Sequence, residues 1–476
     1  MLKRRNGSKL GVTCLGVALA AANCGAARAL ENANNAPSAP PLVMPSGAKV
    51  FLAGPGPNSP RIGYPQSNVK APGFAHTNLK MLIPPEGYQG AARPNGQPVA
   101  GFLGETPASI ACIYRMVAVT PGCNPNTVTA NASGGSRAIA LVDAYDYVNA
   151  ASDLAAFSTQ FGLPAPGANF QVIYGTGSPA NGCVSGTKPP SGSGTGWDIE
   201  AALDIEWAHS MAPNAKIYLV EANSNSTDDL GNAVEVATKC VQQAGGGQVS
   251  MSFGSLEIQA ETSYDSIFNA ANVVFFASAG DAPGVIYPAA SPNVIGVGGT
   301  TISRDQNTGA FQSEAVWNDV YENTYSSGSG TGGGPSAYEP RPSYQNAIES
   351  IVGSVRGTPD LAAVADPFTG AWVYNTTYQH GWGIWGGTSL ASPVVAGIVN
   401  AQGLFVANGA ALLTEVYALG SQGKLGAYVT PVTSGLCGPK GTAGGFGAGY
   451  DPQWIQATTG FSWNWCTGWG SPRGPH

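Results

Sequence analysis

The fold is decided by residues 216–277, where three short apolar runs follow one another: Lys216-Ile-Tyr-Leu-Val220, Gln248-Val-Ser-Met-Ser-Phe253 and Val273-Val-Phe-Phe-Ala277. The apolar runs predict strands, and the intervening segments 228–243 and 263–271 have a helical pattern. Strands that alternate with helices form a parallel sheet covered on both faces. We therefore expect an α/β fold.

The same alternation continues on both sides of this stretch. Upstream we expect strands at 137–143 and 170–174, with a helix at 153–161 between them. Downstream we expect a strand at 294–297 and a buried helix of small residues at 389–404. A Gly/Ser tract at 326–334 has the composition of a flexible surface loop.

The composition limits the possible functions. Only 10% of the 476 residues are charged and the net charge is −7, so a role in nucleic-acid binding is not expected. No segment after the N-terminal region is apolar for long enough to span a membrane. We expect no stable membrane association, and a monomer.

The N-terminus has the pattern of an export signal. Basic residues at positions 3–5 precede an apolar run, which is followed by Ala27-Arg28-Ala29. We expect a signal peptide at 1–29 with cleavage after Ala29, and therefore a secreted or periplasmic protein. Residues 30–105 are rich in Pro, Ala and Gly and predict an extended or weakly ordered arm, which is either a short pro-segment or a wrapping arm. The folded domain is expected at 106–476.

Six cysteines remain after the expected cleavage, and an even number in an exported chain favours disulfides. Six cysteines allow fifteen pairings, and sequence order alone favours three neighbouring pairs: Cys112 with Cys123, Cys183 with Cys240, and Cys437 with Cys466. The chain has no CxxC pair, so a zinc site is not expected.

Two carboxylates stand four residues apart in the stretch GWDIEAALDIEWAH at 196–209. This spacing places Glu200 and Asp204 on one face of a helix. Two like charges repel there, so one pKa should rise. Such a pair is either a solvated helix face or a device that handles protons.

A serine follows two glycines at the start of the predicted helix in Gly386-Gly-Thr-Ser389. Glycines permit close approach of a substrate, and a helix N-terminus favours developing negative charge, so Ser389 is a candidate nucleophile. Alternatively, Ser389 is an N-cap. Asp281 follows the strand at 273–277, at the edge where open α/β sheets bind ligands, although an acid there is also a common turn residue.

A histidine base is formally available, since Asp143, His209 and Ser389 occur in the order of the subtilisin triad. His209 lies nine residues after Glu200, however, and about 100° per residue turns it to the opposite helix face. If Glu200 faces the cleft, His209 cannot.

Several motifs together resemble those of the sedolisins, the serine-carboxyl peptidases. They occur in the family's order over about residues 106–474 and include Glu200-x-x-x-Asp204, Ser278-Ala-Gly-Asp281, Arg356-Gly-Thr-Pro-Asp360, Gly386-Gly-Thr-Ser389 and Cys466-Thr-Gly-Trp-Gly-Ser-Pro472. The resemblance implies a subtilisin-like parallel sheet of seven strands with helices on both faces. It also implies a secreted endopeptidase that acts on proteins or peptides in acid.

The resemblance implies four catalytic residues: the nucleophile Ser389, the general base Glu200, the acid Asp204 that orients this base, and Asp281 in the oxyanion site. A carboxylate with an ordinary pKa is a base suited to about pH 4. Asp281 donates a hydrogen bond only while protonated. Ser252 and Gly254 are expected to pair with the substrate backbone as an added strand. A catalytically silent binding module on this fold is the remaining alternative, although it would need none of these four residues.

The sequence departs from the family in three places. The arm at 30–105 is too short for the family's long folded propeptide. In the extended acid network, Asp143 can preserve the proton link to Asp204, but Phe253 stands where the family has a hydrogen-bonding tryptophan. The two aspartate positions of the calcium site hold Pro431 and Asn464, so we expect no cofactor, nor do we expect Asp451 to replace them.

Overall fold

The computed structural model describes residues 61–83, 104–305, 307–319, 329–378, 381–437 and 462–476. The expected signal peptide, the rest of the arm and Asp451 lie outside these residues. The helices are α1 (Pro107–Ile113), α2 (Ala150–Phe161), α3 (Trp197–Met211), α4 (Thr227–Gln243), α5 (Glu349–Val352), α6 (Thr388–Ala401) and α7 (Gly409–Ser421).

The strands are β1 (Arg61–Gly63), β2 (His76–Thr77), β3 (Lys80–Ile83), β4 (Ala138–Ala144), β5 (Phe170–Tyr174), β6 (Lys216–Ala222), β7 (Gly247–Met251), β8 (Phe253–Leu256), β9 (Val273–Ser278), β10 (Ile286–Tyr287), β11 (Val294–Arg304), β12 (Phe311–Val316), β13 (Gly334–Pro340), β14 (Val355–Thr358), β15 (Leu361–Val364), β16 (Ala371–Tyr374), β17 (Trp382–Gly386), β18 (Val429–Thr430) and β19 (Ser471–Pro472).

The central sheet has the predicted parallel arrangement. Seven strands run parallel in the order β5-β6-β4-β7-β9-β11-β15, and β12 pairs antiparallel with β11. Alternate residues of β4 point to opposite faces. Ile139 and Leu141 join the core formed by α3 and α6, whereas Ala140 and Val142 join the core under α4. The prediction of helices on both faces is confirmed.

Two local predictions are wrong. No α-helix forms at 263–271, where the structure has only 3₁₀ turns at Gln259–Ser263 and Asp265–Phe268. Polar side chains of this segment compete with the helical pattern for backbone hydrogen bonds. The Ser263 hydroxyl, for example, donates to the Ala260 carbonyl. The described part of the Gly/Ser tract, 329–334, is buried. A Cβ atom at Gly332 would overlap the Ala279 carbonyl, so glycine serves close packing there.

All three disulfides favoured by sequence order are present: Cys112–Cys123, Cys183–Cys240 and Cys437–Cys466. The second ties α4 to the loop after β5. Among the described residues, no helix is both long and apolar enough to cross a membrane.

Candidate active site

The candidate nucleophile lies at the start of α6, immediately after β17. Gly387 is the N-cap residue, with φ +89°, and Ser389 is the second residue of the helix. Ser389 is therefore not the N-cap that the alternative interpretation required. Its hydroxyl is buried, donates to the Ser252 carbonyl at 3.2 Å and accepts from the backbone N–H of Asn78 at 3.1 Å.

The carboxyl pair lies on α3, a helix that is buried on almost every side. Only Ile199 of its 15 residues is not fully buried, because α3 packs between the central sheet, α2 and α6. Burial raises the pKa of Glu200 and of Asp204 well above the ordinary range, and the nearby Asp143 of β4 adds to the rise at both. The predicted pKa rise thus has burial as its main cause, and the solvated-face interpretation is wrong.

The three carboxyls form one buried cluster. Asp143 also has a strongly raised pKa, through burial and then through the charge of Glu221. Both oxygens of Asp143 and of Glu200 are buried without a normal hydrogen bond. The hydroxyls of Ser389 and Thr77 lie close enough to Glu200 to oppose the rise in its pKa. Such a cluster holds protons that exposed carboxyls would release at neutral pH.

Ser252 connects the carboxyl pair to the nucleophile. Its hydroxyl lies 2.6 Å from Asp204 Oδ1 and 3.1 Å from the Ser389 carbonyl oxygen. That carbonyl lacks its usual helical partner, because residue 393 is a proline without an N–H. A hydroxyl has one hydrogen and the carbonyl can only accept, so both contacts are hydrogen bonds together only when Asp204 carries a proton.

Asp281 follows β9 and faces the start of α6. Its Oδ1 accepts from the backbone N–H of Thr388 at 2.7 Å and from the Thr388 hydroxyl at 2.9 Å. Its Oδ2 lies 3.7 Å from Nζ of Lys80. Burial raises the pKa of Asp281 to about 6, against the opposing effects of Lys80 and Thr388. Asp281 can therefore be neutral in moderately acidic solution.

The histidine of the alternative triad lies elsewhere. His209 is buried, and its Nε2 atom is 3.0 Å from the carbonyl oxygen of Pro164. Burial lowers its pKa. The structure gives His209 no hydrogen bond to Asp143 or Ser389, so it offers no support for a histidine-dependent hydrolase.

Two neighbouring residues have structural roles. Glu206, on the same helix, is fully buried, and its Oε2 atom accepts from the backbone N–H of Tyr374 at 3.0 Å. The ring of Phe253 lies 6.2 Å from the ring of Trp197, centroid to centroid. An apolar contact therefore stands where the family network would have a hydrogen bond.

The strand edge predicted to bind substrate backbone is occupied by the chain's own arm. β2 pairs antiparallel with β8, with His76 opposite Gly254 and Thr77 opposite Phe253. The next residue, Asn78, donates its N–H to the Ser252 carbonyl at 3.3 Å. The part of the arm at 61–83 is thus ordered within the site, and its composition gave no signal of this contact.

One of the two residues at the replaced calcium positions has a local structural role. Asn464 Oδ1 accepts from the backbone N–H groups of Cys466 and Thr467, each at 2.9 Å. Pro431 directly follows β18. The described residues contain no group of three His, Cys, Asp or Glu side chains able to hold a metal ion. The absence of a cofactor stays a prediction.

The buried acids make a prediction about stability. The folded chain keeps protons on Glu206, whose pKa burial raises well above normal, and on Glu221, whose pKa burial raises to about 8. The unfolded chain releases these protons above about pH 4. The free energy of unfolding should therefore fall as the pH rises from about 4 to 8. Calorimetry should show a Tm that falls over this range, and a Tm that rises would contradict the prediction.

The fold and the site together resemble those of the subtilisin-like peptidases, with a buried carboxyl cluster beside the serine. The model of the Subtilase family matches residues 180–401. Kumamolisin from Bacillus sp. (strain MN-32) is 34% identical over 236 residues, which are 45% of this chain and 41% of kumamolisin. Sedolisin from Pseudomonas sp. (strain 101) is 32% identical over 271 residues, 52% of this chain and 43% of sedolisin. The chain thus spans less than half the length of these relatives.

The solved structures extend the match. Pseudomonas sedolisin, a serine-carboxyl proteinase complexed with two molecules of pseudo-iodotyrostatin, aligns with a TM-score of 0.57 and 28% identity. The alignment covers 78% of this chain and 96% of that structure. Taken with the sequence matches, this similarity supports membership of the sedolisin family.

Proposed function

We propose that the chain is a secreted or periplasmic serine-carboxyl endopeptidase that hydrolyses proteins or peptides in acid. The observation that carries this proposal is the placement of Ser389 at the N-terminus of α6, beside the buried carboxyls of α3 and opposite Asp281. Glu200, Asp204, Ser389 and Asp281 are the proposed catalytic residues, and Ser252 and Gly254 bind the substrate backbone. The proposed enzyme is a monomer that requires no cofactor.

The proposed reaction begins at Ser389. Its hydroxyl attacks the carbonyl carbon of the substrate while Glu200 accepts the proton, and Asp204 shares the charge that forms. The backbone N–H of Ser389 and protonated Asp281 donate to the developing oxyanion. Glu200 returns the proton to the leaving amine, and water then hydrolyses the acyl-enzyme with Glu200 again acting as base.

Two opposing proton requirements restrict the proposed activity to a pH window. The α3 cluster must have lost a proton before Glu200 can act as base, whereas Asp281 must still hold its proton. Activity should therefore fall as the pH rises through about 6, where Asp281 ionises beside Lys80. The Lys80 ammonium lowers the pKa of Asp281. Without this ammonium in the cleft, the enzyme should stay active to a higher pH.

The test is the pH dependence of kcat/KM for an internally quenched peptide. We expect a bell-shaped profile with an acidic maximum. The matched variant is Asp281→Asn, because an amide donates a hydrogen bond at any pH, so it should keep some activity and lose the high-pH decline. A maximum at about pH 7–8, with loss of activity in His209→Ala, would instead identify a histidine base and overturn the proposal.

A further inference from the structure

The two carboxyl oxygens of Asp281 have different surroundings. Oδ1 accepts from the backbone N–H of Thr388 at 2.7 Å and lies 2.9 Å from the Thr388 hydroxyl. Oδ2 is buried without a normal hydrogen bond and lies 3.7 Å from Nζ of Lys80. The first turn of α6 therefore holds one oxygen of Asp281 and leaves the other without a hydrogen-bond donor.

The Thr388 hydroxyl has a partner for its hydrogen and a partner for its oxygen. Its oxygen accepts from the backbone N–H of Gly280 at 3.1 Å. Among the described residues, Oδ1 of Asp281 is the acceptor within hydrogen-bond distance of its hydrogen. Thr388 is fully buried, and a buried hydroxyl hydrogen without an acceptor is costly. The hydroxyl of Thr388 thus donates to Oδ1.

These contacts decide which oxygen of Asp281 carries the proton when the acid is neutral. Oδ1 already accepts two hydrogen bonds from Thr388, one from the N–H and one from the hydroxyl. A proton on Oδ1 would face these two hydrogens, whereas a proton on Oδ2 faces none of them. Neutral Asp281 therefore carries its proton on Oδ2.

Oδ2 lies beside the position proposed for the oxyanion. A Cβ atom built at Gly387 would lie 2.6 Å from Oδ2 and would also overlap the carbonyl oxygen of Asn78. That carbonyl oxygen accepts from the backbone N–H of Ser389 at 3.1 Å, and the same N–H is the other proposed donor to the oxyanion. An oxygen held by the Ser389 N–H is thus a neighbour of Oδ2, and the glycine at position 387 leaves room for both.

From these contacts we infer that Thr388 is a positioning residue of the reaction, because it holds Oδ1 of Asp281 and so directs the acid hydrogen on Oδ2 towards the oxyanion. The inference rests on the proposed function. Thr388 acts through Asp281, and its own hydroxyl is already used by Oδ1. Without this hydroxyl, the carboxyl group of Asp281 is held at Oδ1 by a single N–H.

The same hydroxyl affects the pH at which Asp281 ionises. Burial raises the pKa of Asp281, whereas Lys80 and both hydrogen bonds from Thr388 lower it. The hydrogen bonds lower the pKa because they stabilise the charged carboxylate. Removal of the hydroxyl should therefore raise the pKa and move the high-pH loss of activity to a higher pH. The other charged or titratable side chains near Asp281 and Lys80 are Lys70, Glu200 and Asp319.

The test uses two pairs of enzymes that differ in the hydroxyl at position 388. Wild type and Thr388→Val have side chains of the same shape, and Thr388→Ser differs from Thr388→Ala by the oxygen alone. The pH dependence of kcat and KM is measured for all four with the quenched peptide. Thr388→Val and Thr388→Ala should lower kcat by about 10-fold with little change in KM. Their high-pH decline should move up by about one pH unit.

The outcome for the serine variant separates the hydroxyl from the rest of the side chain. Thr388→Ser should keep the high-pH decline of wild type, and Tm over the same pH range checks that each variant stays folded. A decline at the same pH in all four enzymes, or an equal shift in Thr388→Ser and Thr388→Ala, would overturn the inference alone.

A double variant tests whether the effect passes through Asp281. Asp281→Asn should have no high-pH decline, because its amide does not ionise, and adding Thr388→Val should lower kcat without creating or moving a decline. A pH shift caused by Thr388→Val in the Asp281→Asn enzyme would show that Thr388 acts on another group, and would overturn the inference. A wild-type chain without peptidase activity in acid would overturn the proposed function as well.

Discussion

Replacing Ser389 by alanine should lower kcat/KM for peptide cleavage by about 10⁶-fold, the size of effect seen when a serine peptidase loses its nucleophile. The variant lacks the oxygen that forms the acyl-enzyme, and only binding and oxyanion stabilisation remain. The fold should be unaffected, because Ser389 does not cap α6. The measurement is peptide hydrolysis at the acidic pH proposed for activity, with Tm as the check on folding.

The matched control for this change is Ser392→Ala. Ser392 lies one turn further along α6, is equally buried, and contacts the Ser250 hydroxyl at 2.8 Å, outside the proposed reaction path. Its loss should cost some stability and leave activity close to that of wild type. A Ser389→Ala enzyme with near-normal activity would refute the proposed nucleophile.

Replacing Glu200 by glutamine should lower kcat/KM by about 10²–10⁴-fold, the usual contribution of a general base. Glutamine preserves the shape of the side chain but cannot accept the proton of Ser389. The change also removes one ionisable group from the cluster with Asp143 and Asp204, so any residual activity should have a different pH profile. Steady-state kinetics over the acidic range would show both effects.

Glu206→Gln is the control on the same helix. Glu206 is also fully buried with a raised pKa, and a glutamine can still accept the N–H of Tyr374. Its substitution should leave activity near that of wild type. Equal losses in Glu200→Gln and Glu206→Gln would show that burying any amide in α3 is harmful, and would remove the evidence for Glu200 as base.

Sequence periodicity predicted most of the central sheet, because a parallel strand buried on both faces reads as a continuous apolar run. One prediction failed because composition was used instead of periodicity. The Gly/Ser tract at 326–334 was expected at the surface, yet its described part is buried because glycines permit backbone to pack against backbone. The strand predicted at 248–253 divides at Ser252, where the chain leaves the central sheet to form the edge of the cleft.

The sequence by itself determined the parallel fold and the pairing of Glu200 with Asp204 on one helix face. It also determined the order along the chain of the motifs that contain Asp281 and Ser389. These are properties of local spacing, which the helix and strand periods fix. The tertiary structure alone decided that α3 is buried on nearly every side, which makes burial the main cause of the raised pKa values. It also decided that Asn78 lies beside Ser389 and Lys80 beside Asp281, although both precede Ser389 by more than 300 residues in the chain. Contacts at such separations depend on the packing of the whole chain, so no local pattern records them.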